Sequence, residues 1–120
     1  AGADLRNARL VKADLRGINL KNARLGGANL TDANLSPLMI AGDRLMPTQL
    51  AGASLRNADL RGADLSYAVL TQADASYANL TGANLRRANL SHAVLVGAQM
   101  THAMVREAVM EGTTGLRVGT

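Results

Sequence analysis

Cysteine, tryptophan and phenylalanine are absent from the sequence, and two tyrosines are its only aromatic residues. Without cysteine the chain has neither a disulfide bond nor a thiolate metal ligand. No apolar run approaches the roughly 18 residues that a membrane-spanning helix needs. No signal peptide is visible and the first residue is not methionine. We therefore expect a cytoplasmic protein that is a processed chain or a piece of something larger.

Acidic residues are the minority among the charged ones, with 9 of them against 13 lysines and arginines and a net charge of +4. The basic residues form two groups in the sequence. The first lies near the start of the chain, at Arg6, Arg9, Lys12, Arg16, Lys21 and Arg24, and the second consists of Arg86, Arg87 and Arg106. A solvated surface and a binding patch for an acidic partner both explain such an excess of positive charge.

What the sequence does contain is a leucine at every fifth residue, as in TGANLRRANLSHAVL, residues 81–95. Between Leu5 and Met110, 17 of the 22 positions on this register are leucine. Alanine stands two residues earlier in 18 of the 22 units, and Asp or Asn stands between them in half of the units. A repeat this regular has to be interpreted before any secondary structure is assigned.

Neither a helix nor a flat strand buries a residue of period five. In a helix successive leucines would spiral around the axis, and in a strand an odd period sends them to opposite faces. The leucines converge only if the chain turns a corner once per unit. Four corners close a square coil of about twenty residues, and coils stacked about 4.8 Å apart satisfy each other's backbone groups.

The unit Ala-(Asp/Asn)-Leu-x-x resembles that of the pentapeptide-repeat family, commonly written A(D/N)LXX, over residues 3–112. The resemblance implies an all-β fold, a right-handed quadrilateral parallel β-helix of about five coils. We expect this β-helix over residues 1–112 and a C-terminal tail over residues 113–120. We predict that its core consists of Leu5, Leu10, Leu15, Leu20, Leu25, Leu30, Leu35, Leu55, Leu60, Leu65, Leu70, Leu80, Leu85, Leu90 and Leu95.

Residues 36–50 keep the spacing of five but lose the alanines. Two short apolar runs flank Gly42 there, and Pro37 and Pro47 lie five residues either side of it. One interpretation is a hairpin or loop that projects from the coil and removes fifteen residues from it. The other is three irregular units that stay in the coil, because the core position is still filled by Ile40, Leu45 and Leu50.

No group of residues in the sequence predicts an active site. His92 and His102, the only histidines, lie two units apart and therefore on opposite sides of the square, where they cannot share a metal ion. Asp59, Asp64 and Asp74 each occupy the repeat's own Asp/Asn position, where a short side chain hydrogen-bonds nearby backbone. We therefore predict a protein that is not an enzyme and has no cofactor or metal.

Three functions fit these observations. The first is a non-catalytic structural or protein-binding scaffold whose partner the sequence does not identify. The second, implied by the resemblance, is a DNA-mimicking modulator of a type II topoisomerase, which the net positive charge disfavours because a mimic must replace phosphates. The third is binding of nucleic acid or an anionic surface through the basic residues. It is weakened because Tyr67 and Tyr77 lie on opposite sides and form no stacking platform.

For the scaffold, the sequence offers two partner-binding surfaces. At the C-terminal end apolar residues replace Asp or Asn, residues 111–115 look like a loop, and no capping helix follows. One interpretation is that the repeat pattern merely decays near the end of the chain. The other is an exposed end that pairs with a larger assembly or, in an end-to-end homodimer, with a second copy. The candidate residues are Met39, Gly42, Asp43, Arg44 and Met46 in the irregular segment and Val94, Met104 and Val109 at the C-terminal end.

Overall fold

The computed structural model describes residues 2–115, which form a right-handed quadrilateral β-helix. Each unit pairs in parallel with the unit one coil later, as Asp4 does with Arg24 and Arg9 with Asn29. The interval of twenty residues is four units of five, so each coil is a square with one unit on each side. The square coil predicted from the period and the right-handed quadrilateral β-helix implied by the resemblance are both confirmed. None of the described residues belongs to a helix that could cross a membrane.

The bridges form four columns, one on each face of the rod, and each face is named here after the first residue of its column. The Asp4 face carries Asp4, Arg24, Ser54, Asp74, Val94 and Thr114, and the Arg9 face carries Arg9, Asn29, Asp59, Asn79 and Gln99. The Asp14 face carries Asp14, Asn34, Asp64, Asn84 and Met104, and the Asn19 face carries Asn19, Gln49, Val69, Asn89 and Val109.

The corners are turns that need a left-handed residue. The carbonyl of Leu5 accepts a hydrogen bond from the N–H of Ala8 at 3.0 Å, and Asn7 between them has a φ of 60°. Asn and Gly tolerate this conformation best, which explains why they recur at the second position after the leucine. At some corners a small residue is stacked on a larger one. A Cβ on Gly27, for example, would collide with the side-chain oxygen of Asn7, which lies one coil away.

Leucine and alanine point inward and fill the rod. Ala83 and Leu85 are both fully buried, and from Leu20 onward the predicted core leucines are buried too. Leu5, Leu10 and Leu15 pack against this core but are only partly buried. They belong to the first described coil, whose outer side has no neighbouring coil in the described structure. Besides the inward alanines, the buried residues outside the predicted list are Thr48, Leu50, Ala75 and Ser76.

The irregular segment forms a hairpin that leaves the coil. Strand β1 spans Leu38–Ile40 and strand β2 spans Arg44–Met46, and they pair antiparallel with Met39 opposite Leu45. Gly42 lies in the connecting turn with a φ of 67°. The in-line alternative is therefore wrong for Ile40 and Leu45, because neither lies in the buried core.

The hairpin removes ten residues from the coil, and the expectation of fifteen was wrong. Asp14 pairs with Asn34, twenty residues on, whereas Asn19 pairs with Gln49, thirty residues on. Thr48 and Leu50 are already back in the core, with 0% and 1% of their surfaces exposed. Later units are therefore displaced by two faces from the uninterrupted count, not by three.

The expected boundary between the β-helix and a C-terminal tail at residue 113 also needs correction. Thr114 pairs in parallel with Val94, and its carbonyl accepts a hydrogen bond from the N–H of Leu95 at 2.7 Å. The segment expected to be a loop, residues 111–115, is therefore a further unit of the coil. Residues 116–120 of the expected tail lie outside the described residues.

Where the hairpin leaves the coil, the side chain of the buried Thr48 takes the place of a backbone hydrogen-bond acceptor. At other corners the backbone N–H donates directly to a carbonyl one coil away, as Asn7 does to Gly26 at 2.9 Å. At Gly17 the N–H instead donates to the side-chain oxygen of Thr48 at 2.9 Å. The Thr48 hydroxyl lies 3.2 Å from the carbonyl oxygen of Leu15 and 3.3 Å from that of Ser36. Thr48 therefore occupies an alanine position because a hydroxyl is needed there.

Replacing Thr48 by valine should lower the free energy of unfolding by about 1–3 kcal/mol, the cost of a buried donor left without an acceptor. Valine keeps the shape and removes only the hydroxyl. Urea unfolding followed by far-ultraviolet circular dichroism measures the change. Thr48→Ser keeps the hydroxyl and should lose less. Equal losses in the two variants, or none in Thr48→Val, would show that the hydroxyl does not stabilise the junction.

Candidate functional site

The hairpin displays an apolar pair on its outer side. Met39 and Leu45 stand directly opposite each other across the two strands, and 63% and 42% of their surfaces are exposed. Alternation along a strand puts Leu38 on the other side, towards the rod. There its Cβ lies so close to Gly17 that a side chain on that glycine would collide with it. One face of the hairpin therefore packs on the rod, and the other is exposed to solvent.

The remaining candidate residues of the hairpin surround this pair. Gly42 and Asp43 lie in the exposed turn, and Arg44 begins β2 beside them. Met46 is 42% exposed at the base of β2. Because Arg44 stands opposite Ile40, both charges lie at the far end of the hairpin. Alternation along β2 puts Met46, which pairs with Leu38, on the opposite side from Leu45, so the outer apolar surface consists of Met39 and Leu45 with a charged tip.

The three C-terminal candidates do not form one surface. Val94 lies between Asp74 and Thr114 in the Asp4 column and is only half-buried, so it is not at the open end. Met104 and Val109 lie in the last described coil, on adjacent faces, and are 36% and 44% exposed. The apolar end therefore consists of Met104 and Val109, without Val94.

A cleft on the Asp14 face collects the second basic group. Its volume is about 470 Å³, and we name it the arginine cleft. The equivalent positions of three successive coils supply most of its lining, because these residues recur at intervals of twenty. The lining residues are Ser66, Tyr67, Asn84, Arg86, Arg87, Arg106 and Glu107.

Arg87 forms one wall of the cleft and is already partnered. Its Nε lies 3.1 Å from Oε1 of Glu107, and its Nη1 lies 3.3 Å from the hydroxyl oxygen of Tyr67. The guanidinium carbon stands 5.7 Å from the centre of the Tyr67 ring, within cation–π range. The Glu107 carboxylate accordingly raises the pKa of Arg87. The sequence grouping of the arginines missed Tyr67 and Glu107, although the spacing of twenty residues was the signal for both.

The basic residues near the start of the chain encircle the first two coils and do not form a patch. They are distributed over all four faces, with Arg16 on the Asp14 face and Lys21 on the Asn19 face. Arg6 and Arg16 form ion pairs with Asp4 and Asp14 of their own units. Hydrogen bonds from the Arg16 guanidinium lower the pKa of Asp14 to about 2. Much of this positive charge is therefore neutralised locally.

The residues considered for catalysis have structural surroundings. His92 and His102 belong to the opposite Asn19 and Arg9 faces, as expected from their spacing. Asp64 accepts hydrogen bonds from the backbone N–H and the hydroxyl of Ser66, at 3.0 and 2.7 Å, and Asp74 binds Ser76 in the same way. Within residues 2–115, no three His, Asp or Glu side chains converge into a metal site.

The fold and the repeat unit agree with a known family. A family model for pentapeptide repeats matches this sequence in eight copies, over residues 1–36, 48–82 and 76–112. The chain belongs to the pentapeptide-repeat family. The stretch between the first two matches contains both strands of the hairpin, so the hairpin is an insertion into an otherwise regular pentapeptide-repeat protein.

Solved structures of other pentapeptide-repeat proteins resemble this chain. One from the cyanobacterium Cyanothece 51142 is 29% identical, with a TM-score of 0.54 over 80% of this chain and 63% of its own. HetL, from Nostoc sp. strain PCC 7120 and involved in the regulation of heterocyst differentiation, is 32% identical, with a TM-score of 0.40 over 97% and 64%. This chain thus spans less than two thirds of either protein.

A more distant similarity concerns the topoisomerase hypothesis. QnrB1, a plasmid-mediated fluoroquinolone resistance protein, is 17% identical, with a TM-score of 0.37 over 93% of this chain and 70% of its own. At that level the likeness between two pentapeptide-repeat proteins carries no information about function. A comparison with curated proteins gave no match.

Proposed function

We propose that this pentapeptide-repeat protein is a non-catalytic scaffold that binds a protein partner through the hairpin of residues 38–46. The observation that carries the proposal is the exposed pair of Met39 and Leu45, held away from a rod whose other apolar side chains mostly point inward. A solvent-exposed apolar pair on a projecting element is typical of the anchor residues of protein interfaces.

The hairpin contributes little to the core and is not needed to continue the coil. Ten residues leave the ladder, and the chain re-enters it at Thr48 in register. A two-stranded hairpin alone is marginally stable in water, and here its inner face packs on the rod near Gly17. Its outer face matches an apolar pocket on a partner, with a polar rim for Asp43 and Arg44. Met39 adapts to an irregular pocket because its side chain is unbranched and flexible.

The alternatives have weaker support. A DNA mimic needs an acidic surface, whereas the chain has a net charge of +4. Binding of nucleic acid or an anionic surface is favoured by the basic residues around the first two coils, but two of these arginines are paired with aspartates. An end-to-end homodimer through Met104 and Val109 stays a proposal, supported by their exposure in the last described coil.

The test is a quantitative pull-down from the native cell with matched variants. Met39→Ser combined with Leu45→Ser should release the partner, at a cost of about 2 kcal/mol or more of binding free energy. Val11→Ser combined with Val96→Ser removes two valines that are 48% and 40% exposed on other faces, and it should keep the partner. The purified partner then gives the affinities by calorimetry.

Two results contradict the proposal. In one, every protein captured by the wild type is captured equally by the Met39→Ser, Leu45→Ser variant. In the other, the Val11→Ser, Val96→Ser variant loses the same proteins to the same extent. Circular dichroism on both variants verifies that they remain folded, and light scattering on the wild type shows whether the captured partner is a second copy.

A further inference from the structure

An unequal pairing of arginines distinguishes the arginine cleft from the rest of the rod. Six arginines stand directly after a core residue of the repeat, and four of them form ion pairs with aspartates. In three cases the aspartate directly precedes that core residue in the same unit. The four paired residues are Arg6, Arg16, Arg56 and Arg61, and the other two are Arg86 and Arg106.

The units of the two remaining arginines lack the aspartate that precedes the core residue in three of the paired units. The position that holds Asp59 in the unit of Arg61 holds Asn84 in the unit of Arg86, and Met104 in that of Arg106. Among the described residues, neither Arg86 nor Arg106 has a carboxylate within ion-pair distance.

These two arginines are also neighbours. Asn84 pairs with Met104, and the N–H of Arg87 donates to the carbonyl of Arg106 at 2.9 Å, so Arg86 and Arg106 occupy equivalent positions in successive coils. Their backbones are therefore about one strand spacing apart, roughly 4.8 Å. Two adjacent guanidinium groups without an acid repel each other, and an anion between them removes that repulsion and gains charge-assisted hydrogen bonds.

We propose that the arginine cleft binds an acidic segment of a protein partner, with Arg86 and Arg106 holding its carboxylates. Glu107 does not compete for them because it is held by Arg87, which in turn lies over Tyr67. The Ser66 hydroxyl and the Asn84 side chain supply further polar groups in the cleft. This inference deepens the proposed function by naming the chemistry of a partner at a second surface of the same scaffold.

The geometry favours a short acidic peptide over a nucleic acid. A phosphate backbone needs a continuous basic track, whereas the Asp14 face carries Asp14, Asp64 and Glu107 along the same axis. Base stacking needs free aromatic rings. Tyr67, the only aromatic residue of the cleft, is covered on one side by Arg87. Two neighbouring carboxylates of a peptide fit the one adjacent pair of arginines instead.

The hairpin lies on the same side of the rod as the cleft. The chain leaves the coil after Ser36, at the corner of the Asp14 face, and Ser66 of the cleft lies one coil further on at the same position, because Asn34 pairs with Asp64. A single partner can therefore contact the apolar hairpin and place an acidic segment in the cleft.

The test is a titration of the full chain with a fluorescein-labelled poly-glutamate peptide at low salt, with a poly-glutamine peptide of equal length as the uncharged probe. The wild type should bind poly-glutamate and not poly-glutamine. Arg86→Gln combined with Arg106→Gln should weaken binding at least about tenfold, the factor that corresponds to 1.4 kcal/mol. Arg56→Gln combined with Arg61→Gln lowers the net charge equally and should bind like the wild type.

Four outcomes overturn the inference: no binding of poly-glutamate by the wild type, equal binding of both peptides, unchanged binding by the Arg86→Gln, Arg106→Gln variant, and equal weakening in both double variants. Tighter binding of an oligothymidylate, lost in the cleft variant, would assign the cleft to nucleic acid instead. The hairpin variant Met39→Ser, Leu45→Ser should still bind poly-glutamate, so failure at the cleft and failure of the hairpin proposal are separate results.

Discussion

Replacing Leu85 by alanine is expected to lower the free energy of unfolding by about 2–5 kcal/mol. Leu85 is fully buried, and its unit is stacked between those of Leu65 and Val105 in the Asp14 column. The surrounding backbone is held on both sides by ladder hydrogen bonds, of which the one from Leu85 to Met104 is 2.7 Å long. Such a frame cannot collapse into the space that the leucine leaves, so the cavity persists.

Leu45→Ala is the matched control for this prediction. It removes the same atoms from a leucine on the same register of five, but Leu45 is 42% exposed on the hairpin. Its replacement should change the free energy of unfolding by roughly 0.5 kcal/mol or less. Urea unfolding followed by circular dichroism compares the two variants. Similar losses in both would mean that Leu45 belongs to the core and that the hairpin is not outside the coil.

Two shortened chains should differ in stability although each keeps the spacing of five. Replacing residues 37–48 by Gly-Ala removes ten residues net and joins Ser36 to Gln49 with a regular corner and a regular inward alanine. Glycine is used at that corner in place of Pro47, because proline fixes φ near −65° whereas the corners need a positive φ. This variant should therefore unfold at nearly the same urea concentration as the wild type.

Deleting residues 36–50 removes the unit of Leu50 as well. That leucine is 1% exposed, and burying a leucine stabilises a fold by roughly 1.5–3 kcal/mol, so this variant should be less stable by at least that amount. The deletion also moves every later unit by one face relative to the first coils. Equal stability of the two shortened chains would contradict the finding that ten residues, and not fifteen, leave the coil.

The sequence predicted the β-helix because its period excludes helices and flat strands, and every leucine then needs a corner. It did not predict the length of the excursion, since ten and fifteen residues both preserve a register of five. The hydrogen bonds of Thr48 with Gly17, Leu15 and Ser36 decide between them, and these groups are far apart in the sequence.

The candidate surfaces were predicted in part. The apolar runs around Gly42 indicated the hairpin, but the sequence did not show that Met39 and Leu45 share its outer side, because that depends on the register of the strands. The arginine cleft depends on which residues stack at intervals of one coil. After residue 48 that interval is twenty throughout, so the stacking of Tyr67, Arg87 and Glu107 follows from the sequence once the coil is known to be square.

The distance and the angle between the hairpin and the arginine cleft can change only in discrete steps, because the β-helix is built of whole units and coils. Each additional coil between them would move the two surfaces apart by about 4.8 Å along the axis and leave their directions unchanged. A single additional unit would rotate one against the other by a quarter turn. Insertions and deletions of whole units can therefore adjust the reach and the angle of the proposed bipartite interface independently, without any change in the residues that form it.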